Sequence, residues 1–548
     1  MASPRNAPRK PGRGSRRGDT ELSGNSQGSV LKNWIMPLAL VGGLTIIGFM
    51  GLRYADILFE HQKFGFWEVS FLTDAEPASD VIVNVGQVTI QLLGGVLAVV
   101  AIVVQLAAQR YTPKLVDLFI EDRVNIAYIV LLTVTNFYCG VMMFALHKDF
   151  LPFWTTLVLL VMTALSFVLL IPYFSYVFRF LTPVNIIRII RRNTNSAMQK
   201  LLGQELKKDD VRRLQNEVAN SMEQISDIAL SAVSQMDRNV ALMAVRSLKD
   251  VMVDHLLIKR KMPRRWFVPM KQHFPAISSD FIQELYRGKN WVEMTGFLDM
   301  ELIFKMAIQD MPDAVSAIAN STKIVGLYAI KLKDHQVLQD VIQFFNTFLR
   351  HAVNARSPKA IYNLFYQYRL LAEEVLVVDR PLAERIAFYF KYYGQTAQSY
   401  NIPLILITAS FDLAQLLKRA YEMQVPNIQT LMSTFLEVDD NPATQANEFD
   451  LRSVRKAQLN FASYLLSMGD DKLVQRILED MKVEPQSRME AIRNEMMAVK
   501  DRKFWEVTDR GVDFFYMDDN QKHYLNEFFT RYLEPHYAER PQLAAQGG

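Results

Sequence analysis

Four long apolar runs, at residues 34–52, 88–108, 126–146 and 153–178, crowd into the first third of the chain, and the rest of its 548 residues contains none. A helix needs roughly 20 apolar residues to cross about 30 Å of hydrocarbon. Lipid offers no partner for backbone N–H and C=O groups, so a spanning segment must satisfy them within itself. The runs therefore predict a transmembrane domain of four helices over residues 31–180. A polar domain follows over residues 201–540.

The charges give this architecture an orientation. Formal net charge is only +4, from 61 basic and 57 acidic residues, which is too balanced for a nucleic-acid binder unless the positive charge is locally concentrated. Arg5, Arg9, Lys10, Arg13, Arg16 and Arg17 lie among Pro, Gly and Ser, a composition that buries too little apolar surface to fold, so residues 1–30 are expected to be a disordered basic tail. Residues 53–85 are acidic, whereas Arg110, Lys114 and Arg123 lie between the second and third runs and Arg179, Arg188, Arg191 and Arg192 after the fourth. By the positive-inside rule both termini are expected in the cytoplasm. The loop at 53–85 then faces outward, with Phe64, Phe66, Trp67 and Phe71 as interface anchors.

The second run carries Gln87 and Gln91, then Gly94, Gly95 and Ala98, then Gln105 and Gln109, so one helix face is small and polar. Two readings stay open for Gln87, Gln91, Gly94, Gly95 and Ala98: close helix packing through a small-xxx-small surface, or a pore lined by Gln91, Thr89 and the glycines in a homo-oligomer. No Asp, Glu, Lys or Arg falls inside the four runs, which counts against a proton-coupled carrier. Pro172 should kink the fourth span by removing a backbone donor. After it, Thr182 and Pro183 start a basic juxtamembrane helix over 181–200. Its Arg188, Arg191 and Arg192 share a face and are candidates for contact with anionic lipid headgroups.

From residue 201 onward apolar residues recur at i, i+3, i+4 and i+7, the helical period, and no strand-like alternation is seen. The fold class is therefore all-α. Prolines at 358, 381, 403 and 426 are 23, 22 and 23 residues apart, and Pro suits the first turn of a helix. Helical hairpins of about 45 residues, stacked as repeats, are one reading of that spacing; an irregular bundle is the other. Aromatic residues from Phe344 to Tyr393 fit packed cores between such helices.

Catalytic signatures are missing from the sequence. Glycines 288, 296, 326, 394, 469 and 511 are isolated, so no phosphate-binding loop can be written. The eight histidines form no H-E-x-x-H pair, and Cys139, the only cysteine, lies in the third run, where core packing is its expected role. The acidic stretch from Asp439 to Asp450 lacks the ligands of a calcium loop and reads as solvated. Neither cofactor, metal site nor enzyme activity is expected.

Two motifs carry a family likeness. Gln109-Arg110-Tyr111-Thr112-Pro113-Lys114-Leu115, followed by Asp122-Arg123-Val124-Asn125, resembles the segment between spans of an uncharacterised family of bacterial predicted membrane proteins, domain of unknown function 2254. Residues 227–234 and Met236-Asp237-Arg238-Asn239 stand where that family has a later motif, with both of its prolines missing here. The likeness covers about residues 35–260 and implies no activity. Pro113, Asp122 and Arg123 are candidates for a clamp or gate at the inner membrane boundary. The leading expectation is a membrane-held helical platform for a cytoplasmic protein partner, with lipid but no nucleic acid as a further partner. An oligomeric channel or transport component, its pore lined by the second span, is the alternative.

Overall fold

A computed structural model describes residues 36–58, 75–110, 115–145, 153–203, 206–402, 404–426, 428–440, 448–504 and 510–538. The basic tail, the four aromatic anchors at 64–71, Pro113 and Pro403 lie outside the described residues. Among the described residues there is no strand, and the chain divides into two compact units, residues 1–182 and 183–548.

The first unit contains α1 (Met36–Leu58), α2 (Ala75–Arg110), α3 (Leu115–Ile120), α4 (Arg123–Ala145), α5 (Phe153–Val168) and α6 (Leu170–Phe180). Four stretches are long and apolar enough to span: Leu40–Leu58, Ser79–Arg110, Arg123–Phe144 and the combined Phe153–Phe180. Helix α4 is the hub, packing against α1, α2, α5 and α6. Its Tyr138, Cys139 and Met142 form a buried core with Phe49, Ile82 and Leu159. The Phe49 and Tyr138 rings meet edge to face at 5.3 Å, the arrangement that ring quadrupoles favour. Cys139 packs there as its sequence suggests. A Cβ on Gly86 would come within 2.9 Å of its sulfur, so glycine sets the close approach of α2 to α4.

Two sequence expectations change. Helix α1 continues through Arg53 to Leu58, and α2 begins at Ala75 rather than near residue 88. Arg53 and Asp56 thus belong to the first spanning helix and Asp80 to the second, so the spans are not free of charge. Counting apolar residues stops a run at its first charge, whereas a helix continues wherever that charge is satisfied. The fourth span is interrupted at Leu169, three residues before Pro172. Pro172 has no N–H for the Val168 carbonyl, and the ladder holds on both sides, with Leu169 N bonding Leu165 O and Tyr173 N bonding Leu169 O, each at 2.9 Å.

The second unit is a two-layer stack of helix pairs. Its elements are α7 (Pro183–Lys200), α8 (Lys208–Ser234), α9 (Arg238–Ile258), α10 (Ser279–Gly288), α11 (Trp291–Ala307), α12 (Pro312–Leu332), α13 (His335–Asn354), α14 (Pro358–Val378), α15 (Arg380–Ser399), α16 (Ile405–Glu422), α17 (Gln429–Leu436), α18 (Glu448–Ser467), α19 (Asp471–Met481), α20 (Gln486–Ala498) and α21 (Asp519–Phe528). One layer runs α7, α9, α12, α14, α16, α18; the other runs α8, α11, α13, α15, α17. First-layer helices from α12 onward start at intervals of 43 to 47 residues, so helical hairpins do stack as repeats; Pro358 and Pro381 stand in the first turns of α14 and α15, whereas Pro426 lies three residues before α17.

One device makes the turns short. Met236, Lys333 and Gly469 take positive φ at 57°, 55° and 75°, and the amides of Asp237, Asp334 and Asp470 reach back five residues to Ala232, Ala329 and Leu465. That closes one helix in a Schellman turn. The same aspartates accept from the amides of Val240, Val337 and Leu473 and so cap the next helix. The aromatic run from Phe344 fills the core, with Phe345 stacked on Tyr368 at 4.5 Å and Phe365 on Phe390 at 4.8 Å.

Candidate functional site

Helix α2 has two unlike faces. Ile82, Gly86, Thr89, Val96, Val100 and Val104 are buried, and this is the face toward α4. Gln87, Gln91, Gly94, Gly95 and Ala98 are all exposed, and a Cβ built on either glycine meets nothing within 4 Å. The stripe is therefore brought together but does not pack within the chain. Thr89 is separated from it: fully buried, it donates to the Gly86 carbonyl at 3.0 Å and offers its own carbonyl to Asn136 Nδ2 at 3.3 Å. It belongs to the α2–α4 seam, not to a surface shared with Gln91.

A track of hydrogen bonds runs along α4, between the charge of Asp56 at one end and Asn125 at the other. At one end Asp56 accepts from the backbone N–H of Trp154 at 2.7 Å, the N–H of Thr155 at 3.1 Å and the Thr155 hydroxyl at 2.5 Å. The carboxylate thereby caps the first turn of α5, where the helix dipole favours negative charge. Next to it Tyr138 donates to the Thr155 carbonyl at 3.1 Å. Further along, Thr135 and Ser166 hydroxyls lie 3.4 Å apart and Tyr128 donates to the Ser166 carbonyl at 2.9 Å. At the far end Tyr173 donates to Asn125 Oδ1 at 2.7 Å, while Asn125 Nδ2 reaches the Phe119 carbonyl at 3.1 Å.

That far end is where the Asp122-Arg123-Val124-Asn125 motif lies. Asp122 Oδ2 accepts from the amides of Val124 and Asn125 at 3.0 and 3.1 Å, which makes it the N-cap of α4. Arg123 is exposed, and among the described residues no ion pair joins it to Asp122. The motif thus starts the hub helix and positions α3 through Asn125. Between α2, α3 and α4 it leaves an open apolar crevice of about 590 Å³, lined by Val100, Val104, Phe119 and Ile129 with Gln105 and Gln109 among its few polar groups.

In the second unit, Ile186, Ile187 and Ile190 of α7 are at most 1% exposed, because α7 packs on α8 and α9. Arg191 is held by Asp250 at 2.7 Å and Asp254 at 3.7 Å. Arg188 bonds Asn185 Oδ1 at 2.6 Å, and Arg192 is exposed. Asp450, read from sequence as solvated, is buried, and the side chain of Asp439, read the same way, is only 5% exposed. Asp439 pairs with buried Arg455 at 3.0 Å, an arginine that also meets Asp480 and Glu484. Burial pushes the Asp439 carboxyl up to about 6.

The stack is shortened at α17, which is only eight residues long and is reached from α16 by a six-residue connection. An open groove of about 650 Å³ lies there, lined by Tyr421, Glu422, Gln424, Tyr464, Asp470 and Lys472 among others. The Tyr421 and Tyr464 rings meet edge to face at 6.0 Å, and Lys418 Nζ stands 4.4 Å from the Tyr464 ring centre. Tyr464 Oη is buried with no hydrogen-bond partner. Sequence reasoning missed this groove, since its signal is a shortened repeat rather than a motif.

Comparison with known proteins places the first part of the chain. Residues 32–219 match the model of a family described as predicted membrane protein (DUF2254). No curated protein matches. Among solved structures, a circular tandem repeat protein with novel repeat topology aligns over 93% of this chain and 100% of its own, with a TM-score of 0.27 and 13% identity.

Proposed function

We propose that this membrane protein is a multi-pass component of a bacterial inner membrane, both termini cytoplasmic, whose stacked helix pairs serve as an interaction platform for a protein partner rather than as an enzyme. The observation that carries this reading is the groove at the shortened α17. Stacked helix pairs present extended surfaces suited to binding, and here one gap in the stack gathers two tyrosines, Glu422, Asp470 and Lys472 with a hydroxyl that lacks a partner. The test is a photo-crosslinking amino acid at Gln424 or Met468 in living cells, with exposed Val483 as the reference position. A discrete adduct to another protein at the groove, lost in Tyr421→Ala, supports the platform. Identical labelling at Val483, or no adduct at the groove, refutes it.

A second reading, an oligomeric channel or transport component, rests on the α2 stripe. In lipid an exposed glutamine amide lacks hydrogen-bond partners, so Gln87 and Gln91 favour another polar surface. A second copy can supply one, since each amide both donates and accepts. A symmetric assembly in which Gln91 and Gly94 face the axis would support this reading, and a monomer by mass measurement in detergent would exclude it.

A further inference from the structure

The connection between α9 and α11 breaks the rule of short turns. It runs from Lys259 to Asn290, 32 residues, and opens Lys259-Arg260-Lys261-Met262-Pro263-Arg264-Arg265-Trp266-Phe267-Val268-Pro269-Met270-Lys271. The whole connection holds eight Lys and Arg against Asp280 and Glu284. In a chain of net charge +4 this is a positive concentration outside the N-terminal tail, and the near-neutral total conceals it.

The loop is rigidly mounted. Trp266 is fully buried; its indole N–H donates to His255 Nε2 at 3.0 Å and its carbonyl accepts from Gln215 at 2.7 Å and Trp291 at 2.9 Å. Since Trp can only donate, His255 Nε2 carries no proton, and its Nδ1–H donates to buried Glu293 Oε1 at 2.6 Å. Met262, Phe267 and Phe274 are buried as well. Three of the cations have structural partners: Lys259 pairs with Asp334 at 2.6 Å, Arg260 donates to the Leu332 carbonyl, and Lys289 Nζ stands 5.5 Å from the Phe267 ring centre. Lys261, Arg264, Arg265 and Lys271 are exposed, and among the described residues none forms an ion pair. Beside them Leu257 and Val268 are each 51% exposed.

Exposed cations without carboxylate partners attract a polyanion. The aromatic rings among these cations, Trp266, Phe267 and Phe274, are buried, and the exposed ring of the connection, Tyr286, lies on α10 outside the basic stretch, so the stretch offers no run of stacking platforms for bases, which disfavours single-stranded nucleic acid. Cations interleaved with exposed aliphatic side chains instead suit the boundary of an anionic bilayer, where charge meets headgroups and the apolar tips enter the acyl region. The chain is already attached to a membrane, so headgroups are its most abundant source of phosphate. We propose that Lys261, Arg264, Arg265 and Lys271, with Val268 and Leu257, form a site for anionic phospholipid headgroups.

The experiment uses the full chain in nanodiscs of neutral phosphatidylcholine, mixed with vesicles of phosphatidylglycerol or of phosphatidylcholine and separated by flotation. The native chain is expected to float with the anionic vesicles, less so at high salt. Each basic residue near such a surface contributes about fivefold in partitioning, so K261A/R264A/R265A should lower it by roughly 100-fold. Because the three side chains are exposed, the variant should melt with the native protein. R13A/R16A/R17A reports on the N-terminal tail. The proposal is overturned if the loop variant floats like the native chain, if the tail variant alone accounts for the loss, if neutral vesicles bind equally well, or if duplex DNA is bound in preference to the anionic vesicles.

Discussion

Replacing Asp56 with Asn tests whether the carboxylate of the first span clamps helices or serves an ion route. An intramembrane acid is by default a functional group, yet this one accepts three hydrogen bonds from the start of α5, at 2.7, 3.1 and 2.5 Å. Asn keeps one acceptor oxygen and turns an NH₂ toward the amides it must satisfy. If the oxygen stays on Trp154, the Thr155 amide loses its partner, worth about 1–3 kcal/mol when left unpaired. Loss of negative charge at the helix N-terminus adds roughly 0.3–2 kcal/mol. Together these predict a destabilisation of about 3 kcal/mol, with Asp56→Ala at least as large and Thr155→Val near 1 kcal/mol because it removes only the hydroxyl bond. In a unit of this size that shifts melting by roughly 5–10 °C, read in detergent by intrinsic fluorescence, with a cysteine crosslink between α1 and α5 reporting the contact directly. Melting of both Asp56 variants within about 1 °C of the native protein would refute the clamp.

Three further outcomes are expected. Gly94→Leu should leave the fold of the monomer intact, since its Cβ position faces open space, but should disperse any oligomer that packs through the α2 stripe; light scattering in detergent reads this, and an unchanged mass for an oligomeric native protein excludes that interface. Asp340 sits behind Asn290 with its carboxyl raised to about 7, by burial above all and then by the charge of Glu293. A raised carboxyl pKa gives stability that is full below about 4 and is lost as pH rises through 7, so the protein should lose about 2–4 kcal/mol from this group between pH 4 and 8, and Asp340→Asn should flatten that part of the profile in denaturant melts. Asp412→Ala removes the fully buried partner of Arg510, which Asp412 binds through both oxygens at 2.6 and 2.9 Å, and of Arg369 at 3.0 Å. Stranding these cations should cost about 3–5 kcal/mol and expose the segment around Phe514 to protease, and D412A/R510A should recover part of the loss; a double variant no more stable than Asp412→Ala contradicts the pairing.

The residues read correctly from sequence are those whose signal is periodic. Four spans and a 45-residue hairpin register follow from run length and from prolines that fix helix starts, since both depend on local chemistry alone. What escaped depends on the partner across a contact. Asp56 reads as part of the acidic loop at 53–85 because its charge is visible and the amides of Trp154 and Thr155, almost 100 positions later, are not. Thr89 and Gln91 are two residues apart and fall on opposite sides of α2, one buried against Asn136 and one exposed. Helix α7 shows the limit most sharply. Isoleucines on one side and arginines on the other give the same amphipathic period whether the apolar face enters lipid or a protein core. Here Ile186, Ile187 and Ile190 are buried against α8 and α9, and Arg191 answers Asp250. Of the arginines proposed from sequence for headgroups, Arg188 and Arg192 remain exposed, while the basic loop at Lys261–Lys271 is hidden in the total charge, whose balance masks a local excess. A basic surface is functional only where its cations lack partners of their own, and that property becomes visible when the fold shows which carboxylates are already engaged.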